Sequence, residues 1–279
     1  LLQCGILLSL ASIVVAPHPV AAQTITKATA APGVTPANFT TDVKFSAKVT
    51  GHPALVELIY QNGPAGHPVV VGQLRKKECR DHDDGRDGED RDQDRGCKNR
   101  DRYTLSQRFN FPVGQAQFQI SATGSQGQVL SPVIPVLSLN TPSGFTINSD
   151  LLAVGGPLNL NTFNSNYIQG GIIPHGGADI HVSTVPLHSP PFNNYIDIQL
   201  NGTTITSRGP INVSGVSCTQ VFYTDSYEGT PLSFNNEVIY CPSGKSLYKF
   251  NLSYNAGDSH ANQYLSSFQQ VISNAQFAP

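Results

Sequence analysis

Twenty of the chain's 36 charged side chains fall within residues 75–102, ten of each sign. A stretch so dense in Arg and Asp has almost nothing apolar to bury, so it belongs to no core and reads as a solvated loop. The rest of the chain must then fold with very few charges, since charged residues make up only 13% of the whole, about half the usual share. A net charge of −2 and a body poor in Lys and Arg leave no basic face, which argues against nucleic acid as a partner. The length of 279 residues suits one large or two ordinary domains.

The N-terminus carries an address. Leu1 to Ala16 is an apolar run, followed by Pro17, Pro19 and the small residues Val20-Ala21-Ala22. Apolar run, helix breaker and small residues in that order read as a secretory signal peptide over residues 1–22, cut near Ala22. The run is short for a membrane crossing. The mature chain is therefore expected to have no transmembrane span and to be secreted or periplasmic, at the cell exterior. With Cys4 inside the leader, Cys79, Cys97, Cys218 and Cys241 remain. An even count in an exported chain reads as two disulfides, and no C-x-x-C pair suggests zinc. Three pairings are possible; spacing and layout favour Cys79–Cys97 and Cys218–Cys241.

Strand patterns dominate the body. After a Thr/Ala/Pro-rich lead (24–36), Val43, Phe45, Ala47 and Val49 alternate onto one face. Further β-rich runs follow at 54–60, 68–74, 103–109, 115–123 and 129–137, with Gly- and Pro-containing turns between them. Short strands without helical period predict an antiparallel sandwich over residues 33–138. The phrases "VKFSAKVTG", "VVVGQL", "RYTLSQRF", "GQAQFQISAT" and "LSPVIPV" resemble secreted bacterial immunoglobulin-like domains with an Asp/Gly-rich loop. Asp83-Asp84-Gly85 matches that loop's opening, and Asp101 with Tyr103-Thr104 its close. Arg100 and Arg102 depart from the pattern, which has glycines there. Such a loop raises the possibility of calcium, with Asp83, Asp84, Asp87 and Asp101 as the candidate carboxylates. Ten basic groups among the acids compete with any cation, and a plain charged loop is the alternative.

Residues 138–144 (SLNTPSG) read as a linker, and helices join the pattern beyond it. Strand-like runs lie at 178–185, 203–207, 218–225, 234–241 and 246–254. One helix is expected from Ser189-Pro190-Pro191, with Phe192, Tyr195, Ile196 and Leu200 on its apolar face and Gly202 beyond its end. A second is expected from Asp258-Ser259, with Ala261, Tyr264, Leu265, Phe268, Val271, Ile272 and Ala275 on one stripe. This is an α+β layout over 144–279, an antiparallel sheet with two helices. The run "LYKFNLSY…FQQVISNAQF" resembles the end of PsbP/Mog1/DcrB-like domains, a superfamily of mostly non-enzymatic accessory and binding proteins. If runs 218–225 and 234–241 form a hairpin centred on Gly229-Thr230, paired residue numbers sum to 459. That register puts Cys218 opposite Cys241, Val221 opposite Val238 and Tyr223 opposite Asn236.

Two polar constellations invite chemistry. Asp179, His181 and Ser183 share one face of a strand, and with His175 they could hold a metal. A solvated strand face has the same pattern. Gly257-Asp258-Ser259-His260 echoes the start of GDSL esterases, but the downstream D-x-x-H partner is missing and helix capping explains these residues. No G-x-S-x-G, S-x-x-K, H-E-x-x-H or P-loop is present. The sequence points to a secreted bacterial binding or scaffolding protein with no catalytic residues, whose partner is an extracellular or envelope protein or a glycan. The rival is an exported hydrolase or metal-dependent enzyme using His175, Asp179 and His181.

Overall fold

The computed structural model describes residues 22–61, 67–77, 101–163, 173–187, 192–226 and 232–277. It is mostly β, with three sheets and three helices among these residues. The strands up to the boundary are β1 (Thr24–Ala31), β2 (Val34–Pro36), β3 (Thr40–Thr50), β4 (Leu55–Tyr60), β5 (Val69–Gln73), β6 (Arg75–Lys76), β7 (Arg102–Asn110), β8 (Gly114–Gly124), β9 (Gly127–Leu130) and β10 (Ile134–Leu139). One sheet runs β1-β3-β7-β6; a second runs β2-β10-β8-β4-β5, with β9 on β8.

These two sheets enclose a common core, because the period-two alternation turns one set of side chains inward. Val43, Phe45, Ala47 and Val49 of β3 meet Leu58 of β4, Phe118 and Ile120 of β8 and Val136 of β10. At its centre Phe118 packs on Phe45 (ring centroids 4.8 Å), Tyr60 (4.9 Å) and Phe109 (5.3 Å). Two readings of this half need correction. The Thr/Ala/Pro-rich lead, mostly placed ahead of the sandwich in the sequence reading, belongs to it: its residues form β1 along β3 and β2 parallel to β10. The run 129–137 is two strands, β9 and β10, because Pro132 falls in the break between them. Ser131 fills the break, donating its N–H to Ile120 O (2.8 Å) and accepting the Ile120 N–H on its hydroxyl (2.9 Å).

The third sheet has order β11-β12-β13-β17-β16-β15-β14. Its elements are β11 (Thr146–Ile147), α1 (Ser149–Ala153), β12 (Leu158–Asn161), β13 (Ala178–Pro186), α2 (Phe192–Gln199), β14 (Thr204–Val213), β15 (Val216–Ser226), β16 (Ser233–Ser243), β17 (Ser246–Asn255) and α3 (Ala261–Ser273). β11, α1, β12 and the extent of β14 exceed the sequence expectation, and α3 starts two residues later than Ser259. Asp258 lies before its first turn and accepts the His260 N–H on its carboxylate (2.8 Å). The apolar stripe of α3 is as expected: Tyr264, Phe268, Val271 and Ile272 are buried against Ile180, Phe250 and Leu252. α2 buries Ile196 and Leu200 on the opposite side, over Val221, Val238, Tyr240 and Leu247. Gly202 follows it with φ +82°, as a helix-ending glycine does.

β15 and β16 pair in the register that sums to 459: Val221 faces Val238 and Tyr223 faces Asn236. The Cys218–Cys241 disulfide closes the next rung, with Cα atoms 4.5 Å apart. Cys79 and Cys97 lie outside the described residues.

The supposed linker begins inside β10, and contacts cross it. Val34, Leu137 and Leu139 are buried in the same cluster as Phe250 and Phe268. Gln115 of β8 donates to the Tyr248 hydroxyl at 2.9 Å.

Candidate functional site

Strand alternation gives the seven-stranded sheet two unlike faces. One carries Ala178, Ile180, Val182, Phe250, Leu252 and Ile239 beneath α3. The other is apolar only beneath α2; towards β12 it carries Asn159, Asp179, His181, Lys249, Asn251 and Ser253 in neighbouring registers. Asp179 and His181 therefore do share a face, as their spacing requires. Asn159 donates its amide to Asp179, and Asn161 donates to Asn159 Oδ1 at 2.9 Å. Further along, Asn251 donates to Ser253 Oγ (2.9 Å), which donates to Asn236 Oδ1 (2.5 Å). Burial pushes the Asp179 carboxyl up to about 6, with the Asn159 amide opposing. Burial, and then the Lys249 charge, pushes His181 down. Both shifts favour the uncharged form.

His175 does not join them. Gly176 (φ +76°) and Gly177 turn the chain before β13 starts, and His175 stays exposed in that turn. Its charge acts instead on Asp258. That carboxyl is held below its ordinary range chiefly by the His260 backbone N–H, and last by His175. Two members of the proposed trio are together and the third is elsewhere. Among the described residues no group of three His, Cys, Asp or Glu side chains is placed to hold a metal. Asp83, Asp84 and Asp87 lie outside the described residues. Asp101 sits in the turn before β7, where its carbonyl accepts the Val49 N–H at 2.8 Å.

The Asp258-Ser259-His260 sequence is not arranged as a proton relay. Ser259 Oγ (3.4 Å) and Asp258 Oδ1 (3.1 Å) both approach His260 Nδ1. A relay needs its two partners on opposite ring nitrogens.

Three concavities among the described residues stand out. A cleft of about 600 Å³ opens at the sandwich edge beside Leu74 and Tyr103, with Arg75, Lys76 and Lys77 on its rim. A cavity of about 200 Å³ lies between Phe145, Thr162 and the first turn of α3. A third, also about 200 Å³, lies where β14–β17 bring together Thr206, Phe222, Tyr223, Thr224, Asn235, Asn236, Glu237 and Tyr254. This one contains a buried ionisable group. Glu237 is 1% exposed and faces Phe222 across the ladder. Burial pushes its carboxyl up, while the Gln220 and Gln269 amides oppose that. Those two amides donate to the same oxygen, Oε1, at 2.6 and 3.2 Å. Among the described residues no donor reaches Oε2.

The sequence contained a signal for this residue. In the run Asn235, Glu237, Ile239, Cys241, alternation places a lone acid on the buried side of a strand. A carboxylate there needs partners or a ligand. Gln220 and Gln269 come from β15 and α3, and only the tertiary fold brings them to it.

No protein-family model matches the sequence, and no curated protein matches it either. Among solved structures, PA94, a protein of unknown function from Pseudomonas aeruginosa, is similar with TM-score 0.36 and 14% identity, covering 58% of this chain and 98% of its own. A cycloalternan-degrading enzyme from Trueperella pyogenes is similar with TM-score 0.30 and 10% identity, over 80% of this chain. The match spans 32% of that enzyme. Both TM-scores are too low for these likenesses to identify a fold or an activity.

Proposed function

We propose that the chain is an exported binding protein of the cell exterior, an immunoglobulin-like sandwich joined to an α+β unit, with its ligand site in the Glu237 cavity. The observation that carries this reading is a nearly sealed carboxylate lining a concavity with one oxygen unpaired. A carboxylate oxygen in a concavity that no protein group answers is free to accept a hydrogen bond from a ligand. The leader-like N-terminus and the Cys218–Cys241 bridge fit an oxidising exterior. The partner class is an envelope protein or glycan.

The test is retention of the oxidised protein on isolated cell envelopes, alongside assays for bond cleavage on envelope glycans and peptides. Wild type should be retained, Asn235→Ala and Phe222→Ala should be retained less, and no product should accumulate. Turnover abolished by Asp179→Asn or His181→Ala would instead establish the enzyme. Equal retention of wild type and both cavity variants would refute this site.

A further inference from the structure

We infer that the Glu237 cavity takes a single neutral polyhydroxylated ring, a monosaccharide unit, rather than an ammonium group or an anion; this rests on the binding-site reading above. The first argument is size. At about 200 Å³ the cavity lies below the roughly 300–1,000 Å³ of drug-sized sites, so it admits one small ring and not an extended chain.

The second argument is the hydrogen-bond inventory. Glu237 Oε2 offers an acceptor, because both amides of Gln220 and Gln269 sit on Oε1. The Thr224 hydroxyl donates to Asn235 Oδ1 at 3.2 Å, which leaves the amide N–H groups of this cavity-lining residue as donors for a ligand. Asn235 and Glu237 are two residues apart on one strand, so acceptor and donor stand on the same face. An ammonium has donors only and would leave the Asn235 amide unanswered. A hydroxyl both donates and accepts, so two hydroxyls of one ring answer both groups. Among the described residues no Lys, Arg or His lines the cavity, so nothing there would hold an anion.

The third argument is the wall. Phe222 stands directly opposite Glu237, and Tyr254 directly opposite Asn235. Aromatic faces beside a few placed polar groups are the usual composition of a small-ligand site, and they suit the C–H face of a sugar ring.

The experiment uses the full oxidised chain and ligand-observed NMR with glucose, galactose, N-acetylglucosamine, ethanolamine and inorganic phosphate as separate probes. At least one sugar should show saturation transfer, with a dissociation constant that rises at least tenfold in Glu237→Ala and in Asn235→Ala. Glu237→Gln should retain part of the binding, because its amide oxygen still accepts. Should Glu237→Ala fail to fold, Asn235→Ala and Thr224→Val carry the test. Ethanolamine or phosphate binding that depends on Asn235, with no sugar binding, overturns the sugar assignment and leaves the binding-site reading standing. If no probe binds and envelope retention is also indifferent to Asn235→Ala, both are refuted.

Discussion

Val136 and Leu137 are adjacent on β10 and are buried in two different cores. Val136 points between the first two sheets with Phe118, whereas Leu137 points the other way, into the cluster of Phe250 and Phe268. Neither is accessible to solvent. A strand buried on both faces couples the two halves mechanically. Leu137→Ala is expected to cost about 2–4 kcal/mol and Val136→Ala roughly 1.5–3 kcal/mol. Hydrogen exchange should separate their effects: the first accelerates amides of β13 and β17, the second those of β3 and β8. The same exchange pattern from both variants would contradict this division.

A second contact between the halves rests on a glycine. Gly33, between β1 and β2, passes so close to β13 that an added Cβ would collide with the Thr184 hydroxyl. The Gly33 carbonyl also accepts the Leu137 N–H at 3.0 Å, which limits how far it can retreat. Gly33→Ala should cost about 1–3 kcal/mol by overpacking. Adding Thr184→Ala should recover most of that loss, a coupling readable in a double-mutant cycle of urea midpoints. Additive effects would place the strain elsewhere.

The Cys218–Cys241 bridge closes a separation of 23 residues. In the chain-entropy account such a loop contributes about 3 kcal/mol. Cys218→Ala/Cys241→Ala should lower the urea midpoint accordingly, and reductant should lower the midpoint of wild type more than that of the variant. An unchanged midpoint would mean the hairpin register alone holds these strands.

That register was legible because strand pairing is arithmetic: once Gly229-Thr230 is taken as the centre, every partner follows, down to Val221 with Val238. The α3 stripe was legible for a similar reason, since Tyr264, Phe268, Val271 and Ile272 repeat with the helix period. β1 was not. Its Thr- and Ala-rich sequence has a single large apolar residue, Ile25, and it becomes a strand because β3 offers it an edge. The double burial of β10 was hidden for the converse reason. Ile134, Val136, Leu137 and Leu139 break strict alternation, a pattern that periodicity alone cannot assign to two opposing cores. Of the site, Asp179 with His181 was readable from i, i+2 spacing. Glu237 acquires its meaning only from Gln220, Gln269 and Phe222 around it.

The last expectation concerns pH, and its sign follows from Asp179. Its folded carboxyl titrates near 6, above its ordinary value of about 3.9. Between those values the folded chain holds a proton that the unfolded chain has released, so stability falls as pH rises through that window. Above about pH 6 the full penalty of the buried charge, roughly 2–3 kcal/mol, is present. His181 has the opposite slope. Its folded value is lowered, so its contribution is complete above about pH 6.5 and is lost as pH falls. Asp179→Asn removes only the first effect and keeps an acceptor for the Asn159 amide. The variant should be about 2 kcal/mol more stable than wild type at pH 7.5 and should match it within about 0.5 kcal/mol at pH 4, where Asp179 is already neutral. Urea melts of both proteins at the two pH values measure this directly. A stability difference that does not change between pH 4 and pH 7.5 would show that Asp179 ionises in the folded chain as it does in water.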